Sequence, residues 1–167
     1  MADRVSVTFT LGGRISAADF EALVSVIVAE GLSTEWDGPA FEASHRTEGE
    51  PLELFANEVA WGKVEALENF CADHGLAYHF WAGGYFAEWG AERIIYRGEG
   101  APDSFIADES DRVLIDRGEV ERRGSIDAVL AYFDAAEFTV PSLVVDGDRE
   151  PGVEGATAAN AQEGDHG

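Results

Sequence analysis

Val5, Val7, Phe9 and Leu11 alternate with Ser6, Thr8 and Thr10. That period of two puts one face of a strand in a core and the other toward solvent. Gly12-Gly13 follows and is expected to end the strand. The period then changes. Phe20, Leu23, Val24, Ile27 and Val28 recur at helical spacing, one apolar stripe along a helix. Ser16 stands where an N-cap is needed, Asp19 takes the capping-box position, and Gly31 supplies a C-terminal stop.

Residues 33–51 show no period and are expected to form a loop, followed by a short strand from Leu52 to Ala56. Val64, Leu67, Phe70 and Cys71 mark a second helix, closed by His74-Gly75. Tyr78 and Phe80 alternate with His79 and Trp81, Gly83-Gly84 make a turn, and residues 88–97 return as a strand, an antiparallel hairpin. A second hairpin joins Phe105–Ala107 to Arg112–Asp116 across the acidic turn Asp108-Glu109-Ser110-Asp111. Ser125 caps a third helix with the stripe Ile126, Val129, Leu130 and Phe133, and Val140 to Val145 adds a last edge strand.

From Asp146 onward the chain has one aliphatic residue larger than Ala, too little to offset its ordering entropy, so 146–167 is expected to be a disordered acidic tail. Strands come in runs with only two β-to-α-to-β crossovers. The expected class is therefore α+β: one domain, 1–145, with a mainly antiparallel sheet of five or six strands packed against about three helices.

Composition sharpens this picture in one respect. A chain of 167 residues that is 46% apolar can bury a substantial core as a single domain. The longest apolar run, Ala22 to Ala29 broken by Ser25, is too short to span a membrane. The first residues carry Asp3 and no continuous apolar stretch, which argues against a secretory signal. A lone cysteine, Cys71, forms no internal disulfide, so the cytoplasm is the expected location. The net charge of −22 is the unusual feature, from 33 acids against 11 bases of which only Lys63 is a lysine. Phosphate backbones are bound by clustered Lys and Arg, so direct nucleic-acid or anionic-membrane binding is excluded.

Little in the chain points to catalysis. The segment TLGGRIS, residues 10–16, lacks both glycine-rich phosphate-binding spacings and fits a simple strand-to-helix turn. Cys71, His74 and His79 are too few and too loosely spaced for a structural zinc site. Cys71 fits the buried stripe of its helix, and a catalytic thiol would need electropositive surroundings that this chain lacks. Asp108, Glu109 and Asp111 lack the ligand spacing and closing Glu of a calcium loop. No catalytic residue, metal or cofactor is assigned.

What remains is charge and aromatics. Residues 78–98 hold seven Phe, Trp or Tyr side chains around Gly83-Gly84. One face of that segment is expected in the core and the other open to a partner, with Trp81, Tyr85 and Trp89 as anchors beside flexible Gly83, Gly84 and Gly90. Glu21 and Glu30 on the first helix and Glu65, Glu68 and Asp73 on the second are positioned to stand in for phosphates, which duplex DNA presents at about one charge per 1.7 Å of axis. The expected function is a non-enzymatic acidic protein that binds a basic protein surface, a nucleic-acid mimic of the antirestriction or anti-CRISPR type found in phages and plasmids. Two alternatives stay open: a housekeeping or ligand-binding domain with a salt-adapted acidic surface, and a small enzyme with no recognisable motif.

Overall fold

Strand β1 (Arg4–Ile15) is the axis of the sheet. It pairs antiparallel with β2 (Leu52–Ala60) on one side and with β3 (Ala77–Ala82) on the other. β3 continues to β4 (Glu92–Tyr96) and β4 to β5 (Asp103–Ile106), giving the antiparallel order β2-β1-β3-β4-β5. A sixth strand, β6 (Leu143–Val145), runs parallel to the end of β1, with Gly13 opposite Leu143 and Ile15 opposite Val145. The described residues also form four helices: α1 (Ala17–Glu30), α2 (Glu65–His74), α3 (Arg117–Arg123) and α4 (Ile126–Ala136). This is an α+β fold, given by a computed structural model that describes residues 4–86 and 88–148.

The alternation of β1 divides the molecule. Val7, Phe9 and Leu11 point inward and join Leu54, Tyr78, Phe80 and Tyr96 in the main core beneath α1 and α2. Each such side chain contributes about 1.5–3 kcal/mol by leaving water. α1 forms as its sequence dictates: the Ser16 hydroxyl accepts from the Asp19 amide at 3.1 Å, Phe20, Leu23 and Ile27 are buried, and Gly31 closes the helix in the left-handed conformation. α2 lacks a capping hydroxyl because its N-cap is Val64. Glu30, at the end of α1, supplies the missing acceptor through the backbone amides of Leu67 and Ala66.

On the outer face, residues opposite one another in the ladder share a side. Thr10, His79 and Ile95 form one row, and Thr8, Trp81 and Arg93 form the next. α4 packs Tyr132 and Ala136 over Ile95 and Phe105, covering the β4–β5 end. Toward β2 the outer face stays partly open, at Ser6, Thr8 and Thr10.

Several local expectations need correction. Gly12-Gly13 does not end β1. A Cβ on Gly12 would stand 1.6 Å from the Pro141 carbonyl oxygen, so the glycine is the gap through which the returning C-terminal segment reaches the sheet. β2 runs four residues beyond Ala56, to Ala60. The first hairpin has no tight turn at Gly83-Gly84: an arm intervenes, and the return strand starts at Glu92. Residues 112–116 contribute only an isolated bridge, Val113 with Ala107, before the unexpected helix α3, capped by Asp116. The α4 stripe is displaced: Tyr132 and Ala136 are buried, whereas Ile126 is 71% and Leu130 54% exposed. Asp146 and Asp148 at the start of the expected tail are anchored, to Arg14 at 3.1 Å and to Arg46 respectively. The rest of that tail, 149–167, lies outside the described residues.

Replacing Gly12 by Ala forces β6 away from β1 or shifts both backbones. The Gly12→Ala variant is expected to lose about 3 kcal/mol of stability, read as a lower urea midpoint at unchanged slope.

Candidate functional site

The outward residues of β3 and β4 hold a loop rather than facing water. His79 Nε2 lies 2.8 Å from Asp111 Oδ2, and Arg93 donates from Nε to Asp111 Oδ1 at 2.8 Å. A second Arg93 nitrogen donates to the Asp111 carbonyl, and Nη1 donates to the Ala136 carbonyl at 2.9 Å. One guanidinium thus ties β4, the acidic loop and the C-terminal end of α4 together, where a helix favours a cation. Trp81 Nε1 donates to the Asp108 carbonyl at 3.0 Å. Asp108 closes the loop on itself, accepting from the Ser110 and Arg112 amides at 2.9 Å and from Arg112 Nε at 2.7 Å. Those bonds, the Arg112 amide first, hold its carboxyl below the usual range. The turn expected to be merely solvated is a fixed wall.

Against that wall leans the arm between β3 and β4. Glu109 Oε1 accepts from the Gly84 amide at 2.8 Å. A Cβ on Gly84 would meet Glu109 Oε1 and the Trp89 carbonyl at 2.9 Å each, so only glycine lets the arm pass here. Four rings run along the arm and beyond it. Phe86 meets Tyr85 edge-on at 4.6 Å, Tyr85 stacks on Trp89 at 5.3 Å, and Trp89 lies 6.0 Å from Trp61.

The arm separates two clefts. The larger, about 870 Å³, has Ser6 and Thr8 of β1 on its floor, Tyr85, Phe86 and Glu109 on one wall, and Trp36 on the other. Trp36 stands on Phe55 of β2 at 5.0 Å between ring centres. The smaller, about 340 Å³, lies between Trp61, Trp89, Lys63 and Glu92. Phe86 is 91%, Trp61 51% and Trp36 45% exposed, large apolar surface left in water.

Backbone strain gathers at the same place. Among the described residues, five that are not glycine have positive φ: Asp37, Glu58, Trp61, Phe86 and Asp111, at 55°, 60°, 58°, 44° and 57°. Phe86 and Asp111 line the large cleft and Trp61 the small one. Asp37 accepts from Asn57 Nδ2 at 3.0 Å, and the Glu58 carbonyl accepts from Arg4 Nη1 at 2.7 Å, with Asn57 and Arg4 both lining the large cleft. For Trp and Phe this conformation costs about 1–3 kcal/mol each, and such strain concentrates where a fold positions a site.

The anticipated residues divide. Tyr85 and Trp89 lie half-buried on the arm, and Trp81 is buried and bonded to the loop, so it is a wall and not an exposed anchor. Glu21, Glu65 and Asp73 are exposed on α1 and α2. Glu30 and Glu68 turn partly inward. Burial, the largest influence, raises the Glu30 carboxyl, and its Oε2 has no hydrogen bond. Burial also raises Glu68, reinforced by Glu65 and Glu92, against a bond from the Tyr78 hydroxyl. Cys71 is in the core with its thiol pushed up by burial, and His74 bonds the Phe70 carbonyl through Nδ1. His79 lies on the opposite face of the sheet from both. Among the described residues no group of three or more His, Cys, Asp or Glu is placed to hold a metal ion, nor does any helix there have the length and apolarity to cross a membrane.

Two outcomes follow from these contacts. Asp111→Ala removes the counter-charge of Arg93, whose side chain is only 12% exposed, while leaving its bonds to the two backbone carbonyls, and is expected to cost about 3 kcal/mol in urea unfolding. Glu68 binds its proton more tightly folded than unfolded, so its contribution declines as pH rises above the ordinary value of 4.5 and is least favourable at neutrality. Glu68→Gln is therefore expected to raise Tm at pH 7, with the gain vanishing below about pH 4 in a pH series of thermal melts. Searches of protein families, curated proteins and solved structures return no match to this chain.

Proposed function

We propose that this is a non-enzymatic acidic protein that binds a basic protein surface through α1 and α2, occupying the nucleic-acid groove of a DNA-binding enzyme in place of phosphates. One observation carries the proposal. Each of these two adjacent helices bears three carboxylates and neither bears a lysine or arginine: Asp19, Glu21 and Glu30 on α1, Glu65, Glu68 and Asp73 on α2. That arrangement supports a charge gathered on one surface over one spread evenly. Arginines concentrate elsewhere, and those of α3 are each paired: Arg117 with Glu121 at 2.8 Å, Arg123 with Glu119 at 2.8 Å, and Arg122 with Glu119. Exposed Glu21, Glu65 and Asp73 form the phosphate-like set, and Glu30, half-buried behind them, fastens α1 to the start of α2. Attraction of this kind accelerates association and weakens with salt. A defence nuclease of the restriction or CRISPR type is the kind of enzyme such a surface would block.

Gel-shift competition against a panel of restriction and CRISPR effector enzymes tests this. The wild-type protein is expected to displace duplex DNA from at least one enzyme in low salt, and the triple variant Glu21→Gln, Glu65→Gln, Asp73→Asn to do so at least about tenfold less well, roughly the effect of losing 1.4 kcal/mol. Failure to displace DNA from any of them, or folding only in molar KCl by circular dichroism, overturns the proposal. The second result would make the acidity a hydration coat.

A further inference from the structure

The larger cleft lies on the side of the sheet away from α1 and α2, so it needs an occupant that the phosphate-like surface does not explain. Its floor strand, β1, is hydrogen-bonded on both sides, to β2 and to β3. An incoming chain cannot add to the sheet there. Recognition must come from side chains: rings, the carboxylate of Glu109, the hydroxyls and amide of Ser6, Thr8 and Asn57, and Arg4, whose guanidinium is engaged with the Glu58 carbonyl. Trp36 offers an exposed ring on one wall, and exposed Phe86 with half-buried Tyr85 does so on the other. Glu109 is exposed and, among the described residues, forms no ion pair. Its Oε1 takes one bond from Gly84, which leaves acceptor capacity on both oxygens. The second acid of the cleft, Asp111, is already paired with Arg93 and hydrogen-bonded to His79.

We infer that this cleft binds an extended basic peptide segment, with a Lys or Arg stem laid against Trp36, Tyr85 and Phe86 and its cationic end at Glu109. Charge selects this occupant. The chain carries −22, so anionic ligands are repelled and cationic ones concentrated. Aromatic faces attract cations and also cover the apolar stems of Lys and Arg, and the guanidinium group of Arg stacks on rings better than the compact ammonium of Lys. The strained backbone at Phe86 holds a fully exposed ring at the mouth of the cleft, where the stem would enter. A neutral sugar would also stack on Trp36, but it gives Glu109 no counter-charge.

Titration of the whole protein with an Arg-Gly repeat peptide, followed by calorimetry, tests the inference. A Glu-Gly peptide of equal length and a neutral oligosaccharide serve as comparisons. The Arg peptide is expected to bind, the Lys analogue more weakly, and the comparisons not at all. Trp36→Ala with Phe86→Ala is expected to reduce affinity at least about tenfold, and Glu109→Gln several-fold. Both rings are on the surface, so folding is checked simply by an unchanged circular dichroism spectrum. The Glu21→Gln, Glu65→Gln, Asp73→Asn variant is expected to bind the peptide as well as wild type, which separates this site from the helical surface. Absence of peptide binding, equal binding by the double variant, or preference for the oligosaccharide overturns it.

Discussion

β1 is bonded to three other strands, and its alternation of apolar and hydroxyl side chains decides what each half of the molecule can be. Val7, Phe9 and Leu11 require cover, and α1 and α2 provide it. Ser6, Thr8 and Thr10 do not, and the outer face toward β2 is left partly open. A change of register by one residue would exchange the two sets and bury three hydroxyls under the helices. The pairing on both sides of β1 prevents that slip, and the aromatic cleft exists because it does.

The few cations of this chain hold its architecture together. Arg93 joins a strand, a loop and a helix end. Arg97 joins Asp103 to the carbonyl of Ala135, again at the end of α4. Arg46 reaches Asp148 and lies 5.2 Å over the Phe20 ring, fastening the segment after β6 to α1. With so many positive groups committed to such contacts, much of the excess of acids is left at the surface, as at Glu21 on α1 and Glu65 and Asp73 on α2.

Elements whose signals lie within a dozen residues were legible in the sequence. Ser16, the stripe from Phe20 to Ile27 and Gly31 define α1 without reference to anything else, and Ser125 marks the start of α4 in the same way. What could not be read depends on distant partners. The role of Gly12 requires Pro141, and the loop at Asp108–Asp111 looks like a solvated turn until His79, Trp81 and Arg93 are known to face it. The buried side of α4 was misjudged because Ile126 and Leu130 outweigh Ala136 in hydrophobicity. The position was set instead by Tyr132, whose hydroxyl donates to the Leu114 carbonyl at 2.7 Å. At the candidate site, aromatic richness pointed to Tyr85 and Trp89. Nothing local distinguished Trp36 or Glu109, and no sequence rule gives Phe86 or Trp61 a left-handed backbone.

The opposite placement of the acidic helices and the aromatic cleft has a thermodynamic corollary. Two bodies docked on opposite sides of one sheet do not collide, so direct steric competition is closed to this fold and simultaneous occupancy is open. Any mutual influence between them would have to pass through the sheet, as a coupling free energy felt equally by both ligands. Arg93, which grips the cleft wall at one end and the last turn of α4 at another, lies wholly on the cleft's side of the sheet and stiffens that side alone.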